Sequence, residues 1–258
     1  MQSQALLHYN QFGSGEPLVI LHGLFGSSKN WQSLAKQFAE HYQVYTVDIR
    51  NHGASFHDPV MNYDVMADDL ARLMQHLDIQ SSRIIGHSMG GKIAMVAAIK
   101  YPQLFSQLVI ADIAPVSYHH DHDNLIEPIL AVRLDEVTSR ADVDSALKPS
   151  IVDPMLRGFL LQNLHKENDS WRWKVNWAAI DRQMQDITGF PGYESNWLIN
   201  TPSLFIRGEN SNYVGDAEIA AIEAHFGQAS IETLKNAGHW LHAEQPRLFL
   251  QKVLQFLD

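Results

Sequence analysis

A serine framed by glycines is the feature of this sequence most suited to chemistry. Ser88 lies in the pentapeptide Gly86-His87-Ser88-Met89-Gly90, with an apolar, strand-like run before it and an Ala-rich helical pattern after it. Strand, sharp turn and helix together are typical of a nucleophile elbow, a strained turn that exposes the serine hydroxyl. The alternative is an incidental serine in a strand-to-helix turn. The sequence around the pentapeptide favours a serine nucleophile.

A serine hydroxyl is a poor nucleophile until a base accepts its proton, and that base needs an acid to orient it. His239 follows the last predicted strand in a glycine turn, which places it at the same edge of the sheet as Ser88. His242 is close by, and we expect it to be a structural or exposed histidine. The position of His239 in the chain therefore predicts that it is the base.

Two backbone N–H groups are expected to stabilise the negative charge that develops on the substrate oxygen. One belongs to Met89, directly after the nucleophile, and the other to Leu24, in the loop after the first buried strand. His22 in that loop is predicted to brace it by hydrogen bonding. Phe25 and Trp240 lie beside the catalytic loops and are predicted to shape the substrate pocket.

The elements that must position these residues alternate between strands and helices. Short continuous apolar runs are typical of strands buried on both faces. Helical patterns separate these runs, which occur at 17–22, 44–48, directly before Ser88, 108–112, 203–208 and 230–234. Residues 5–12 could pair as an edge hairpin. The alternation predicts an α/β protein with a doubly wound, mostly parallel sheet of about eight strands.

The alternation stops between about residues 116 and 195, where helix-like stretches with exposed-looking aromatic residues follow one another. We interpret 116–195 as a helical cap, or lid, inserted into a core formed by 1–115 and 196–258. Open α/β sheets bind ligands at the carboxyl ends of their strands, where such a cap would lie. A run of core helices is the alternative. The tryptophans of this segment fit an acyl pocket and the core of the cap equally well: Trp171, Trp173 and Trp177.

Taken together, the motifs resemble the α/β-hydrolase superfamily over nearly the whole chain. Four motifs follow that family's order and spacing: His22-Gly23, Asp48-x-Arg50-x-His52-Gly53-x-Ser55, Gly86-His87-Ser88-Met89-Gly90-Gly91 and Gly238-His239. The resemblance implies the α/β-hydrolase fold. It also implies that Asp48, Arg50 and Ser55 form a structural turn and are not catalytic.

The acid departs from the usual pattern of that superfamily. Members commonly carry it as Gly-x-x-Asp after the penultimate strand, but here the stretch reads Gly208-Glu209-Asn210-Ser211. A second position known in the superfamily is the end of the strand after the nucleophile helix, where Asp112 stands. An aspartate that ends an apolar strand is costly to bury without a partner. We assign the acid to Asp112, with Glu209 as the alternative, and expect Ser211 to join the network as a fourth member.

This departure narrows the resemblance to the YbfF-type bacterial esterases and their mitochondrial animal relatives. The motifs that carry it are Asp112-Ile113-Ala114-Pro115 and Gly208-x-Asn210-Ser211-x-Tyr213-Val214. The resemblance implies a serine carboxylic-ester hydrolase that works through an acyl-enzyme, or an acyl-CoA thioesterase on the same Ser-His-Asp triad. A binding protein that kept the fold and lost turnover is a rival, and so is an enzyme that transfers the acyl group to an alcohol or amine.

For a CoA substrate, cationic residues of the cap would have to form a local basic rim. The hypothesis names four of them: Arg157, Lys166, Arg172 and Lys174. The contiguous stretch His119-His120-Asp121-His122-Asp123 suggests a metal site, but metal ligands usually come from separated positions. We therefore favour a solvated hinge at the start of the cap, and we expect no metal and no cofactor.

Composition excludes several other classes of protein. The chain has 258 residues, no cysteine and a formal net charge of −10 without a cationic run. Disulfides and thiolate chemistry are therefore excluded, and nucleic acid and anionic membranes are poor partners. The first seven residues lack the basic region and long apolar core of a signal peptide, and no apolar run approaches the ~20 residues of a membrane span, so we expect neither a signal peptide nor a spanning helix. We expect a soluble cytoplasmic protein, monomeric or dimeric, that acts on a small acyl ester or thioester.

Overall fold

A computed structural model of the chain describes residues 5–118, 123–193 and 197–258. Its strands are β1 Tyr9–Phe12, β2 Pro17–Leu21, β3 Gln43–Val47, β4 Ser82–His87, β5 Phe105–Ala111, β6 Leu164–Glu167, β7 Ser170–Trp173, β8 Ser203–Gly208 and β9 Ala229–Leu234. Seven of them form one sheet in the order β1-β3-β2-β4-β5-β8-β9. Every neighbouring pair in this sheet is parallel except β1 with β3.

Helices cover both faces of this sheet. They are α1 Gln32–Phe38, α2 Tyr63–His76, α3 Met89–Lys100, α4 Asp123–Leu130, α5 Arg140–Leu147, α6 Pro154–Leu161, α7 Trp177–Arg182, α8 Met184–Thr188, α9 Asp216–His225, α10 Leu241–Glu244 and α11 Pro246–Leu257. No helix in the described ranges is long and apolar enough to cross a lipid bilayer.

The central strands are buried on both faces, as their continuous apolar runs predict. In β2, Leu18 and Ile20 join an apolar cluster with α1 and α11, whereas Val19 and Leu21 join the cluster beneath α2 and α3. Successive side chains of a strand point to opposite faces, so a strand with helices on both sides must be apolar throughout. The prediction of a doubly wound α/β-hydrolase fold is confirmed.

Two details of the predicted sheet differ from the structure. Seven strands occur in the main sheet within the described residues, and not about eight, because 5–12 supply one edge strand and no hairpin. His8, which precedes that strand, instead places its ring Nδ1 3.0 Å from a carboxylate oxygen of Asp48.

Helix α3 ends at Lys100, directly before Tyr101-Pro102, as the proline predicts.

Residues 116–195, which we call the cap segment, contribute no strand to the main sheet in their described parts. They contain α4 to α8 and an antiparallel hairpin formed by β6 and β7. The hairpin was not predicted because its strands have only four residues each. Its turn uses Asn168 and Asp169 at φ 45° and 63°, a conformation that short hairpin turns require and that these residue types tolerate.

Two sequence-based predictions lie at the edges of the described ranges. The boundary of the cap segment at residue 195 falls outside the described residues. So does most of His119–Asp123, of which only the backbone of Asp123 is described, as the first residue of α4. The solvated hinge therefore stays a prediction.

Candidate active site

The backbone at Ser88 is strained, and the turn can form only because Gly86 and Gly90 on either side have no side chain. Ser88 has φ 51° and ψ −118° between β4 and α3, a conformation that L-residues rarely adopt. A Cβ atom on Gly86 would lie 2.3 Å from the Gly90 carbonyl oxygen, and one on Gly90 would lie 2.6 Å from that of Leu21. The Ser88 N–H donates to the Ala111 carbonyl at the end of β5, which anchors the turn.

Asp112 and His239 lie together at the carboxyl edge of the sheet. His239 Nδ1 is 2.8 Å from Asp112 Oδ2. Asp112 is fully buried, its Oδ1 accepts from the Gly208 N–H at 2.9 Å, and Ser211 Oγ donates to its Oδ2. A buried carboxylate needs such partners, because an unpaired charge taken out of water costs several kcal/mol even after the protein relaxes around it.

Glu209, the alternative acid, faces away from this pair. Its side chain is exposed, and Oε2 accepts a hydrogen bond from the Asn236 N–H at 2.9 Å. The structure thus brings Asp112 to His239, and Ser211 to Asp112, but does not bring Glu209 to the site.

Two residues that sequence reasoning did not assign also hold His239. The ring of Tyr213 stacks on the imidazole, with ring centres 3.8 Å apart and planes at 15°. His87 Nε2 lies 2.8 Å from the His239 carbonyl oxygen. Burial lowers the pKa of His87 well below its ordinary value, so this ring is neutral and donates its Nε2 proton to that carbonyl. Both residues belong to motifs noted in the sequence, but only packing across the fold reveals the contacts.

Ser88 and His239 line the same cavity. No hydrogen bond between Ser88 Oγ and the imidazole occurs among the described residues. Catalytic hydrogen bonds are often long without substrate and shorten when the substrate binds. The arrangement is therefore compatible with proton transfer from Ser88 to His239 in a substrate complex.

Two neutral histidines hold the loop after β2. His22 Nε2 accepts from the Ile49 N–H at 3.0 Å while Nδ1 donates to the Gly23 carbonyl, and His52 Nε2 accepts from the Phe25 N–H at 3.0 Å. Burial lowers the pKa of His22, and it lowers that of His52 to about 3, so both rings keep an acceptor nitrogen at neutral pH. The predicted bracing role of His22 agrees with this geometry.

The predicted oxyanion donors lie on either side of the elbow. Met89 is the first residue of α3, where helix N–H groups lack intrahelical partners. Within the described residues the N–H of Leu24 makes no hydrogen bond, whereas that of the next residue, Phe25, is bound to His52. Phe25 adopts φ 63°, which shows how tightly this loop turns.

The motif around Asp48 forms a structural turn, as the family resemblance implied. Asp48 accepts from the Ser28 N–H at 2.6 Å and from the Ala54 N–H at 2.9 Å. Arg50 forms a bidentate pair with Asp69, at 2.5 and 2.8 Å. These groups lie outside the lining of the cavity at Ser88.

The cavity at Ser88 has a volume of about 290 Å³ and a mostly apolar wall. Phe25 and Trp240 both line it, as predicted for pocket residues. His242 also lines it, is buried, and stacks on Trp31 with ring centres 4.2 Å apart. The cap segment supplies part of the wall through Tyr118, Leu125, Leu156, Phe159, Ile187 and Thr188.

The cap tryptophans lie outside the lining of this cavity. Trp177 is buried against Phe25, with ring centres 4.9 Å apart, and Trp173 packs edge-on against Trp177 at 5.7 Å. Of the two interpretations left open by the sequence, the core of the cap segment is the one that the packing supports.

The structure argues against the basic rim hypothesised for CoA, because none of its four residues lines the cavity. Arg157 is buried, and its guanidinium is bound to Asp144 at 2.8 Å. This ion pair joins α6 to α5. Lys166 and Arg172 pair with acidic neighbours on the hairpin surface, Asp169 and Glu167.

No group of three or more histidine, aspartate or glutamate side chains in the described ranges is arranged to hold a metal ion.

The chain matches the family model described as alpha/beta hydrolase fold over residues 16–246. It therefore belongs to the α/β-hydrolase family, in agreement with the resemblance seen in its motifs.

Similar proteins within this family are esterases and lipases. The chain is 37% identical over 254 residues to sn-1-specific diacylglycerol lipase ABHD11 of Danio rerio, covering 95% of this chain and 80% of that protein. It is 35% identical over 246 residues to esterase YbfF of Escherichia coli (strain K12), covering 95% and 94%. A solved structure described as a marine microorganism esterase has a TM-score of 0.95 and 38% identity, covering 98% and 100%. The prediction of an enzyme, a hydrolase of the esterase group, is confirmed.

Proposed function

We propose that this chain is a serine carboxylic-ester hydrolase that works through an acyl-enzyme on Ser88, His239 and Asp112. The observation that carries the proposal is the 2.8 Å contact between His239 Nδ1 and Asp112 Oδ2, beside a cavity that Ser88 and His239 line. A carboxylate at Nδ1 leaves Nε2 free to accept the serine proton, and it stabilises the imidazolium that forms. The esterase and lipase relatives support the same class of reaction.

In this mechanism Ser88 Oγ attacks the acyl carbon while His239 Nε2 accepts its proton. The N–H groups of Leu24 and Met89 donate to the oxyanion, and each such donor is typically worth about 3–4 kcal/mol of barrier lowering. The imidazolium then protonates the leaving alcohol, which departs as the C–O bond breaks. His239 next removes a proton from water, whose oxygen attacks the acyl carbon of the acyl-enzyme. The bond to Ser88 Oγ then breaks, the imidazolium returns its proton to Ser88, and the acid is released.

The cap segment acts as a lid in this proposal. Its side chains form one wall of the cavity, including Leu156 and Phe159 from α6 and Ile187 from α8. An apolar wall favours the binding of an acyl chain next to Ser88. A volume of about 290 Å³ lies at the lower end of small-molecule pockets, so short acyl chains are the expected substrates.

The acyl-CoA alternative uses the same triad but lacks the basic rim that a polyanionic leaving group would need. The arrangement of His239 and Asp112 argues against a binding protein that has lost turnover, because such a protein has no need of an oriented base.

Hydrolysis of p-nitrophenyl esters with two to twelve acyl carbons tests the proposal, together with acetyl-CoA and butyryl-CoA. We expect the highest kcat/KM on short esters, weaker turnover of the thioesters, and loss of activity by at least about 10³-fold in Ser88→Ala. A mass increase equal to the acyl group, seen on wild type and absent from Ser88→Ala, would identify the acyl-enzyme. Wild type that turns over no member of the panel would favour the binding protein, and acyl-CoA as the best substrate would favour the thioesterase.

A further inference from the structure

Lys92 places a buried cation in the wall of the catalytic cavity. It lies on α3 one turn after Ser88, and its backbone N–H donates to the Ser88 carbonyl at 3.1 Å. Lys92 is only 2% exposed, yet it lines the cavity at Ser88. Lysine is almost never fully buried unless it is paired with an opposite charge, so its partners decide what it does here.

The partners of the Lys92 ammonium group carry no charge. Nζ donates to the carbonyl oxygens of Thr188 at 2.9 Å and Gly189 at 2.6 Å, at the end of α8. It also lies over two aromatic rings, 5.6 Å from the ring centre of Tyr63 and 4.8 Å from that of Tyr118. In the described part of the chain no carboxylate oxygen is within 4 Å of Nζ. These contacts orient the ammonium group but do not neutralise it.

The rest of the cavity does not supply a counter-charge either. No aspartate or glutamate occurs among the described residues that line it. Three of its histidines, His22, His87 and His242, have a pKa lowered by burial and are neutral at pH 7. Burial also lowers the pKa of Lys92 to about 7, which reflects the cost of its unbalanced charge. An anion beside Nζ would remove that cost.

The start of α3 places Lys92 close to the nucleophile in the chain. Ser88 is the N-cap residue of α3, Lys92 lies in the first turn of the helix, and both line the same cavity. The stem of a helical residue also points toward the N-terminus of the helix, which for Lys92 is the direction of Ser88. An anion held by Lys92 is therefore separated from the carbon that Ser88 attacks by a short chain.

Resting on the esterase function proposed above, we propose that Lys92 is a specificity-determining residue that binds an ionised carboxylate on the ester substrate, a few carbon atoms from the carbonyl that Ser88 attacks. The carboxylate belongs either to the acyl group, as in a half-ester of a dicarboxylic acid, or to the leaving alcohol. A cation in an apolar cavity whose described lining holds no acidic residue selects for negative charge in both cases, because the enclosed site strengthens the attraction.

Matched pairs of substrates that differ only in charge test this proposal. Monoethyl glutarate is compared with ethyl 4-carbamoylbutanoate for the acyl side, and 4-acetoxybutanoate with 4-acetoxybutanamide for the alcohol side. Product acids and alcohols are quantified by chromatography, and the measured quantity is the ratio of kcat/KM for carboxylate over carboxamide. We expect a ratio of at least about ten in one pair, and the pair that shows it identifies the side that carries the charge.

Substitution of two lysines on the same helix assigns the selectivity. Lys92→Met should lower the ratio at least about tenfold, because it removes the charge and keeps a chain of similar length. Lys100→Met is the matched control: Lys100 pairs with Asp68 and does not line the cavity, so the ratio should stay within about twofold. Ratios at or below one in both pairs for wild type would overturn the proposal. So would an unchanged ratio in Lys92→Met, or an equal loss in both variants.

Two measurements on wild type test the binding of a carboxylate by Lys92 even if the variant Lys92→Met does not fold. Glutarate should inhibit turnover of p-nitrophenyl butyrate at least about tenfold more strongly than glutaramide, and equal inhibition would count against the proposal. The carboxylate preference should also fall as the pH rises from 6 to 8.5, because Lys92 loses its proton near pH 7. Tyr63 and Tyr118 face Nζ with raised pKa values and stay neutral. Any change with pH in the activity common to both substrates of a pair cancels from the ratio.

The esterase proposal is tested separately from the role of Lys92. Turnover of p-nitrophenyl butyrate that requires Ser88, without any preference for carboxylates, would leave the triad standing and reject the binding of an anion. Absence of all ester turnover would reject the esterase itself.

Discussion

The carboxyl edge of the sheet holds its polar groups in buried hydrogen bonds, whereas most of the ion pairs in the described part of the cap segment lie at the surface. Asp112 is fully buried with three donors, and His52 is fully buried between two backbone groups. In the cap segment, the Lys166–Asp169 pair has side chains 51% and 99% exposed. Exposed ion pairs contribute about 0–1 kcal/mol each, while a buried polar group left without its partner costs about 1–3 kcal/mol.

This difference separates what the two regions do for the site. The edge of the sheet positions the three residues of the proposed triad. Ser88 and Asp112 bond to backbone groups of β5 and β8, and His239 is held by the side chains of Asp112 and His87. The cap segment contributes mainly side-chain surface to the cavity. The cap segment also contributes backbone groups at one point, where two carbonyl oxygens at the end of α8 accept hydrogen bonds from the core residue Lys92. The comparison predicts large effects for small changes at the sheet edge and small effects for similar changes in the cap segment.

The largest expected difference lies between two carboxylates. Asp112→Asn should lower kcat on p-nitrophenyl butyrate by about 10⁴-fold, because an amide no longer stabilises the imidazolium of His239. Asp144→Asn removes a carboxylate from a buried arginine of the cap segment and should change kcat by less than about threefold, since it lies outside the cavity. Initial-rate kinetics on both variants measure the contrast.

Glu209→Gln is the control within the core, and its kcat should stay near that of wild type. Full activity in Asp112→Asn together with loss in Glu209→Gln would move the acid to Glu209.

A second contrast uses glycine-to-alanine changes in two helices. Gly90→Ala in α3 should lower the free energy of unfolding by about 2–3 kcal/mol, because the added Cβ overpacks a rigid site. That Cβ would lie 2.6 Å from the Leu21 carbonyl oxygen and 2.7 Å from that of His22. Urea denaturation measures the change, and kcat should also fall because the loop after His22 carries the proposed oxyanion donor. A variant as stable as wild type would show that the edge of the sheet is more yielding than its contacts indicate.

The buried histidines make the sheet edge sensitive to acid. Burial lowers the pKa of His242 to about 3, so the unfolded chain binds more protons at this residue below about pH 6.5. Its contribution to stability is complete above that pH and is lost as the pH falls toward 3, amounting to about 2 kcal/mol between pH 8 and pH 5.

Replacement of His242 should remove this part of the pH dependence. His242→Phe retains a ring beside Trp31, and its loss of stability between pH 8 and pH 5 should be smaller than that of wild type by about 2 kcal/mol. His41→Phe makes the same change at an exposed site and should keep the wild-type dependence. Identical pH profiles for wild type and His242→Phe, from denaturation at each pH, would contradict the linkage.

The smallest effect is expected in the cap segment, with the opposite sign. Gly158 lies in α6, and nothing is within 4 Å of the Cβ that an alanine would add. Gly158→Ala should therefore raise the free energy of unfolding by about 0.5–1 kcal/mol, because alanine favours the helix. Thermal denaturation beside Gly90→Ala measures the contrast, and a loss of stability in Gly158→Ala would show that α6 is packed more closely than its contacts indicate.

The core was predictable from sequence because its signals are local. Continuous apolar runs identified the buried strands, and β8 has the predicted bounds, Ser203–Gly208. The cap segment was less predictable. Its hairpin has two four-residue strands. The basic-rim hypothesis requires Arg157 at the surface, whereas the structure buries it beside Asp144. A short strand or a single charged residue has little local sequence signal, so the partner with which it pairs cannot be predicted from its neighbours in the chain.

The sequence by itself determined the family, the sheet and the elbow at Ser88, because strand period, glycine turns and motif order are all encoded in neighbouring residues. Only the tertiary structure decided which carboxylate meets His239, since Asp112 and Glu209 both follow strands and their side-chain directions depend on packing. The surroundings of Lys92 were also decided by the tertiary structure, because the apolar sequence of its helix does not indicate which groups its ammonium contacts. Contacts between residues far apart in the chain arise from the packing of whole elements, and no local pattern specifies them.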